Sequence, residues 1–251
     1  FADLENEAKM TPFPSDFTEG KGFIKINGLI WMDSQEEMKK QIDAKIDAGF
    51  SCVKMKIGAL DFDSEVELLR SLRKRYSKEK LQLRVDANGA FSVDEAMSKL
   101  ETLSKLDIHS IEQPIKAGQR AAMADLCKNT PLSIALDEEL IGIFDKKDKQ
   151  SLLEEIKPQY LVLKPSLHGG FCGADEWIEL AEKQHIGWWI TSALESNVGL
   201  NAIAQWTFKK GVTMAQGLGT GSLYTNNLQS PLFLEGENLK FDPTKGYSFA
   251  D

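Results

Sequence analysis

Residues 81–114 read LQLRVDANGAFSVDEAMSKLETLSKLDIHSIEQP. LQLRVDAN has the apolar, branched character of a strand, SVDEAMSKLETLSKL that of a helix, and SIEQP begins the next strand. Working outward, the unit repeats. Upstream lie CVKMKIG with the helix DFDSEVELLRSLRKRY, and before them an apolar strand at residues 24–31 followed by SQEEMKKQIDAKIDAG. In that first helix Ser34 and Glu37 form a capping-box pair, Met38, Ile42, Ile46 and Phe50 recur every four positions, and Gly49 supplies the C-terminal stop. Downstream come the helix QRAAMADLCKN, then LSIALDE with KKDKQSLLEEI, YLVLKPSL with GADEWIELAEKQ, GWWITSAL with LNAIAQWTFKK, and finally TMAQGLGTG. Eight strands alternating with seven helices require a parallel sheet with helical crossovers, and a (β/α)7β barrel over residues 22–225 accommodates them. A doubly wound open sheet is the alternative, weakened by the lack of a GxGxxG or GxxxxGK[ST] loop after the first strand. Residues 1–21 and 226–251 read as tails, the second packing back on the barrel or on a cap.

The 251 residues, 42% hydrophobic and 27% charged, exclude a disordered or collagen-like chain. A net charge of −8 with interspersed signs argues against a nucleic-acid groove. No apolar run reaches a bilayer span and FADLENEAKM lacks the pattern of a secretory signal, so a cytoplasmic protein is expected. Cys52, Cys127 and Cys172 are odd in number and show no CxxC spacing, which leaves them as reduced core residues.

Buried parallel strands should be almost wholly apolar, so each charge on them needs a reason. Lys54 and Lys56 end the second strand, Asp86 and Asn88 the third, Glu112 the fourth, Asp137 and Glu138 the fifth, and Lys164 the sixth, with Ser192 late on the seventh. Lys56, Asp86, Glu112, Asp137, Lys164 and Ser192 follow one another at 25 to 30 residues, one strand-plus-helix unit each time. All converge on the C-terminal rim of a barrel. Asp86, Glu112 and Asp137 form an all-oxygen set suited to a hard divalent cation, Mg2+ with Mn2+ as substitute. Taken singly, each would more simply be a helix cap or ion-pair partner. Lys54 and Lys56 share one face, and mutual repulsion, burial and a nearby metal would favour the neutral amine of a general base. Lys164 faces them from four units away. A carboxylate substrate chelating the metal, with a lysine removing the adjacent proton and the metal stabilising the enediolate, is the implied chemistry. TSALESNVG and GLGTGSLYTNN, with Ser192, Ser196, Gly219 and Thr220, suit a second polar group of the substrate. Gly217, Gly219 and Gly221 equally suit a tight turn. His109, His168 and His185 show no triad or metal spacing, and only His168 falls near the rim. Trp188 and Trp189 open the seventh strand as packing residues.

The motifs VKMKIG, RVDANGAF, IEQP, ALDEEL, VLKPSLHGG, TSALESNVGL and GLGTGSLYTNN resemble, in order, those of the enolase superfamily, muconate-cycloisomerase-like subgroup. By that resemblance Asp86, Glu112 and Asp137 match the magnesium ligands, Lys56 and Lys164 the acid/base lysines, and Lys54 and Asn88 supporting residues at the substrate. The implied reaction is dehydration of 2-succinyl-6-hydroxy-2,4-cyclohexadiene-1-carboxylate to o-succinylbenzoate in menaquinone biosynthesis. Lys56 would act as base and same-face acid, and a cationic Lys164 as stabiliser. The resemblance also implies an N-terminal α+β capping domain, of which residues 1–21 match only the last stretch. A dipeptide epimerase would need an Asp-x-Asp pair that GLGTG lacks, and a mandelate-racemase type would need a histidine base. N-acylamino acid racemase and muconate-type cycloisomerase keep the same lysines, and a non-catalytic scaffold has no use for such costly charges. A small-molecule carboxylate is the expected partner, with no nucleic acid or membrane and the oligomeric state open.

Overall fold

The computed structural model describes residues 11–220 and 224–248. Among the described residues ten strands and seven α-helices follow in order: β1 (Ile24–Lys25), β2 (Gly28–Ile30), α1 (Gln35–Asp47), β3 (Cys52–Lys56), α2 (Phe62–Arg75), β4 (Gln82–Asp86), α3 (Val93–Ser104), β5 (Ser110–Glu112) and α4 (Arg120–Asn129). After them come β6 (Ile134–Leu136), α5 (Lys146–Ile156), β7 (Tyr160–Leu163), α6 (Gly170–Lys183), β8 (Gly187–Ile190), α7 (Asn197–Lys209), β9 (Leu232–Glu235) and β10 (Asn238–Phe241). Strands β2 to β8 lie in sequence order in one parallel sheet, as successive right-handed crossovers demand. Residues 215–217 close the ring: Gln216 bridges Ile26 and Gly217 bridges Thr191, both in parallel. The expected β/α barrel is present, wrapped by the apolar faces of the helices.

Two strand expectations need correction, and Cys172, expected in the core, is exposed. The apolar stretch 24–31 is two strands rather than one. Ile26 N–H bonds Glu237 O and Asn27 N–H bonds Gln216 O, so the chain changes sheets at this point. Ile24–Lys25 joins β9 and β10 in an antiparallel three-stranded sheet, while Gly28–Ile30 joins the barrel. The eighth strand exists only as single bridges, because the buried Gln216 side chain replaces the ladder: its Oε1 accepts from Ile190 N–H at 2.7 Å and its Nε2 donates to Met214 O at 2.7 Å. The C-terminal segment, read as a tail packing back on the barrel or cap, contains the β9–β10 hairpin. Gly221 and residues 1–10 fall outside the described residues.

Helix starts follow local chemistry. Ser34 Oγ accepts from Glu37 N–H, but Glu37 turns to Lys40 at 2.6 Å, so only half the expected capping box forms. At α3 both halves form, between Ser92 and Glu95. Helix α6 starts at Gly170, three residues before its anticipated start at Gly173. Packing explains the glycine there: a Cβ at Gly173 would stand 1.9 Å from His168 O.

Candidate functional site

Parallel register sets the rim. Lys56, Asp86 and Glu112 are Cα partners across β3, β4 and β5, and so are Lys54, Arg84 and Ser110 one layer below. Because strand side chains alternate, both rows point into the barrel. Asp137 and Lys164 directly follow β6 and β7. The three carboxylates are buried, each no more than 2% exposed.

The lysines are interleaved with the acids. Lys54 Nζ donates to Asp86 Oδ2 at 2.9 Å and to Glu112 Oε2 at 2.8 Å. Lys56 Nζ donates to Asp86 Oδ2 at 3.1 Å and to Asn88 Oδ1 at 2.6 Å. Across the mouth Lys164 pairs with Asp137. Burial drives the Asp86 acid upward, but Lys54 and Lys56 outweigh it and hold the carboxyl down at about 2. Glu112 behaves oppositely: burial, then Asp86, with Asp137 also contributing, lifts it well above the ordinary range despite Lys54. Burial opposes the charge of Lys54, yet Glu112 and Asp86 prevail and raise its pKa. The two carboxylates thus favour the ammonium of Lys54 over the neutral amine, repulsion from Lys56 being weaker than attraction to two buried acids. At Lys164 burial is again outweighed, here by Asp137, and the pKa rises.

A cavity of about 330 Å³ opens at this rim. Lys54, Asn88, Ser192, Gly219 and Thr220 line it together with the two acid/base candidates and the three carboxylates. Ser192 and Thr220 hydroxyls bond each other. Ser196 is the exception, standing at the N-cap of α7 and absent from the lining. Asn27, Leu29 and Trp31 also line the cavity and were not singled out by sequence. Their period-two spacing at the start of the barrel was the available signal. Arg84 was missed as well: its guanidinium lies 4.2 Å over the buried Trp189 ring and donates to Ala215 O at 2.9 Å, tying β4 to the closing segment. His168 is fully buried, and its Nδ1 accepts from Lys164 N–H at 3.1 Å.

Among the described residues no three acidic, His or Cys side chains are gathered closely enough to hold a metal as they stand. The donor chemistry nevertheless fits a hard cation. All three ligand candidates are buried oxygens, Asp137 Oδ1 is buried without a hydrogen-bond partner, and Glu112 is flanked by two further acids.

The enolase C-terminal domain-like family matches residues 37–246. The o-succinylbenzoate synthase of Desulfotalea psychrophila is 55% identical over 234 residues, 93% of this chain and 63% of that protein. The crystal structure of MenC from the same organism superposes with a TM-score of 0.86 at 55% identity, covering 91% of this chain and 63% of that one. An L-Ala-D/L-Glu epimerase of Francisella tularensis subsp. novicida is 30% identical over 184 residues, 72% of this chain and 50% of that protein. The chain thus spans less than two thirds of the length of these relatives.

Proposed function

The chain belongs to the enolase C-terminal domain-like family, and on that premise we propose that it is the barrel part of an o-succinylbenzoate synthase, a magnesium-dependent dehydratase. The observation that carries this reading is the placement of Lys56 and Lys164 on opposite sides of one mouth, with Asp86, Glu112 and Asp137 between them. Under this proposal residues 22–225 form the catalytic barrel, residues 1–21 belong with a cap, and residues 226–251 pack back on the barrel or cap. The substrate is 2-succinyl-6-hydroxy-2,4-cyclohexadiene-1-carboxylate, and we place the reaction in the cytoplasm. Among the described residues no helix is long and apolar enough to cross a membrane.

Asp86, Glu112 and Asp137 would hold the divalent cation, Mg2+ with Mn2+ as substitute. When bound, that cation supplies positive charge opposite the oxyanion that grows on the substrate carboxylate. Lys56 takes the proton next to the carboxylate and, from the same face, returns it to the departing hydroxyl. The C–H and C–O bonds break, the ring gains a double bond and water leaves. Lys164, kept protonated by Asp137, stays cationic and offsets the developing negative charge from the other face. Ser192, Gly219 and Thr220 would receive the succinyl arm and Lys54 and Asn88 support the reacting end.

Following the loss of the cyclohexadiene ultraviolet absorbance with the full-length protein, in magnesium and then EDTA, tests the proposal. We expect turnover that requires the cation and falls by about 10²–10⁴-fold in Lys56→Ala. A folded, cation-binding protein that leaves this substrate untouched but racemises N-acylamino acids would overturn the dehydratase assignment and retain the lysine chemistry.

A further inference from the structure

We infer that Glu138 is a positioning residue for Lys56, acting through the side chain of Asn88; this rests on Lys56 being the base, as proposed above. Lys56 Nζ donates to Asn88 Oδ1 at 2.6 Å, and Asn88 Nδ2 donates to Glu138 Oε1 at 2.9 Å. The chain runs across the rim from the end of β3 to the 3₁₀ turn that follows Asp137. Asn88 is fixed at its own backbone too: it adopts φ +43°, and its N–H donates to Asp86 Oδ1 at 3.1 Å. Asparagine is among the few side chains that tolerate that conformation.

The chemistry of the amide gives the arrangement a direction. A carboxamide has one accepting and one donating end, so between an ammonium and a carboxylate only one orientation satisfies both neighbours. Glu138 holds the Nδ2 end and thereby turns Oδ1 towards Lys56. Once Lys56 is a neutral amine it has two N–H bonds and one lone pair. Asp86 Oδ2 and Asn88 Oδ1 accept the two N–H bonds, which leaves the lone pair one tetrahedral direction. The ring of Trp31, 5.9 Å from Nζ, bounds another side of the amine. Glu138 Oε2 is buried with no hydrogen-bond partner, so the amide is the polar side chain that this carboxylate grips. Without Glu138 the amide is free to rotate and present its NH2 end to Lys56, which mis-aims the base without removing it. Asn88 is exposed at the rim, so water competes for these bonds and the effect is moderate.

The test uses the full-length protein saturated with magnesium, comparing wild type with Glu138→Ala and Glu138→Gln. In Glu138→Ala, kcat should fall about tenfold with KM and magnesium affinity, measured by calorimetry, within twofold. Glu138→Gln retains an oxygen that accepts from Asn88 and should recover kcat to within about threefold. A substrate-free readout accompanies the kinetics: the Lys56 ε-methylene signal in protein carrying 13C-lysine should show greater mobility in Glu138→Ala and return to the wild-type value in Glu138→Gln. Wild-type kcat together with an unchanged Lys56 signal in Glu138→Ala would overturn the inference. A loss of magnesium affinity parallel to kcat would overturn it as well, by showing that Glu138 acts through Asp137. So would a Gln variant as impaired as the Ala variant. Should wild type itself fail to turn over the cyclohexadiene, the functional proposal falls alone, and the Lys56 signal still decides the positioning role.

Discussion

Lys54 Nζ lies within 2.9 Å of both Asp86 and Glu112, and its side chain is only 12% exposed. It therefore carries the positive charge on which two buried carboxylates depend. Replacing it with an apolar side chain of similar shape, Lys54→Met, strands both acids, and breaking a buried ion pair in this way costs about 3–5 kcal/mol. We expect that loss in urea unfolding without divalent cation, and its partial recovery when magnesium is added, because binding to the folded state alone contributes about 2.7 kcal/mol at a hundredfold excess over Kd. A Lys54→Met variant with wild-type stability, or one indifferent to magnesium, would show that the acids find compensation elsewhere. The residue types at the rim were legible in the sequence because a charge on a buried parallel strand needs a reason. Their ionisation was not: sequence places Lys54 beside Lys56 but cannot show that two acids from neighbouring strands lie closer.

At the scale of elements, the turn between β7 and α6 shows how packing overrides local propensity. Gly169 and Gly170 adopt φ +86° and +74°, and Gly173, inside the helix, fits against the His168 carbonyl. Gly173→Ala would place a methyl 1.9 Å from that oxygen. The clash is with backbone, so the whole turn carrying Lys164 must shift, at a cost of roughly 1–3 kcal/mol. For a chain of this size a melting temperature lower by roughly 3–10 °C is expected. A neutral result in a thermal melt would mean that α6 slides freely against the turn. Helix existence and order were readable from periodicity and caps, as Met38 and Ile42 in α1 illustrate. The split of residues 24–31 was not readable, since both halves are apolar and only the distant Glu237 and Gln216 carbonyls divide them.

Across the whole molecule, acid sensitivity is expected from two shielded imidazoles, His168 fully buried and His109 partly so. Burial lowers His109 and His168 from 6.5 to about 4. The unfolded chain takes up these protons below about pH 6.5 while the folded chain refuses them until about pH 4, so their contribution is complete above the first value and is lost as pH falls through that window. For the fully buried His168 the shift corresponds to at most about 3 kcal/mol. His168→Gln should flatten the fall in melting temperature between pH 6.5 and 4, although it lowers stability at neutral pH by disturbing the acceptor for Lys164 N–H. An unaltered slope would transfer the acid sensitivity to the rim carboxylates.

By itself the sequence determined the alternation of strands and helices, the barrel they require, and the acids and lysines at the strand ends. These depend on periodicity and spacing, which are local properties of the chain. Tertiary structure alone decided how the ring closes at Gln216, that the C-terminal hairpin joins β1, and which lysine meets which acid. Each of those depends on residues far apart in the chain competing for one donor, one acceptor or one volume, and such a contest is settled only when all the competitors have been brought together in space.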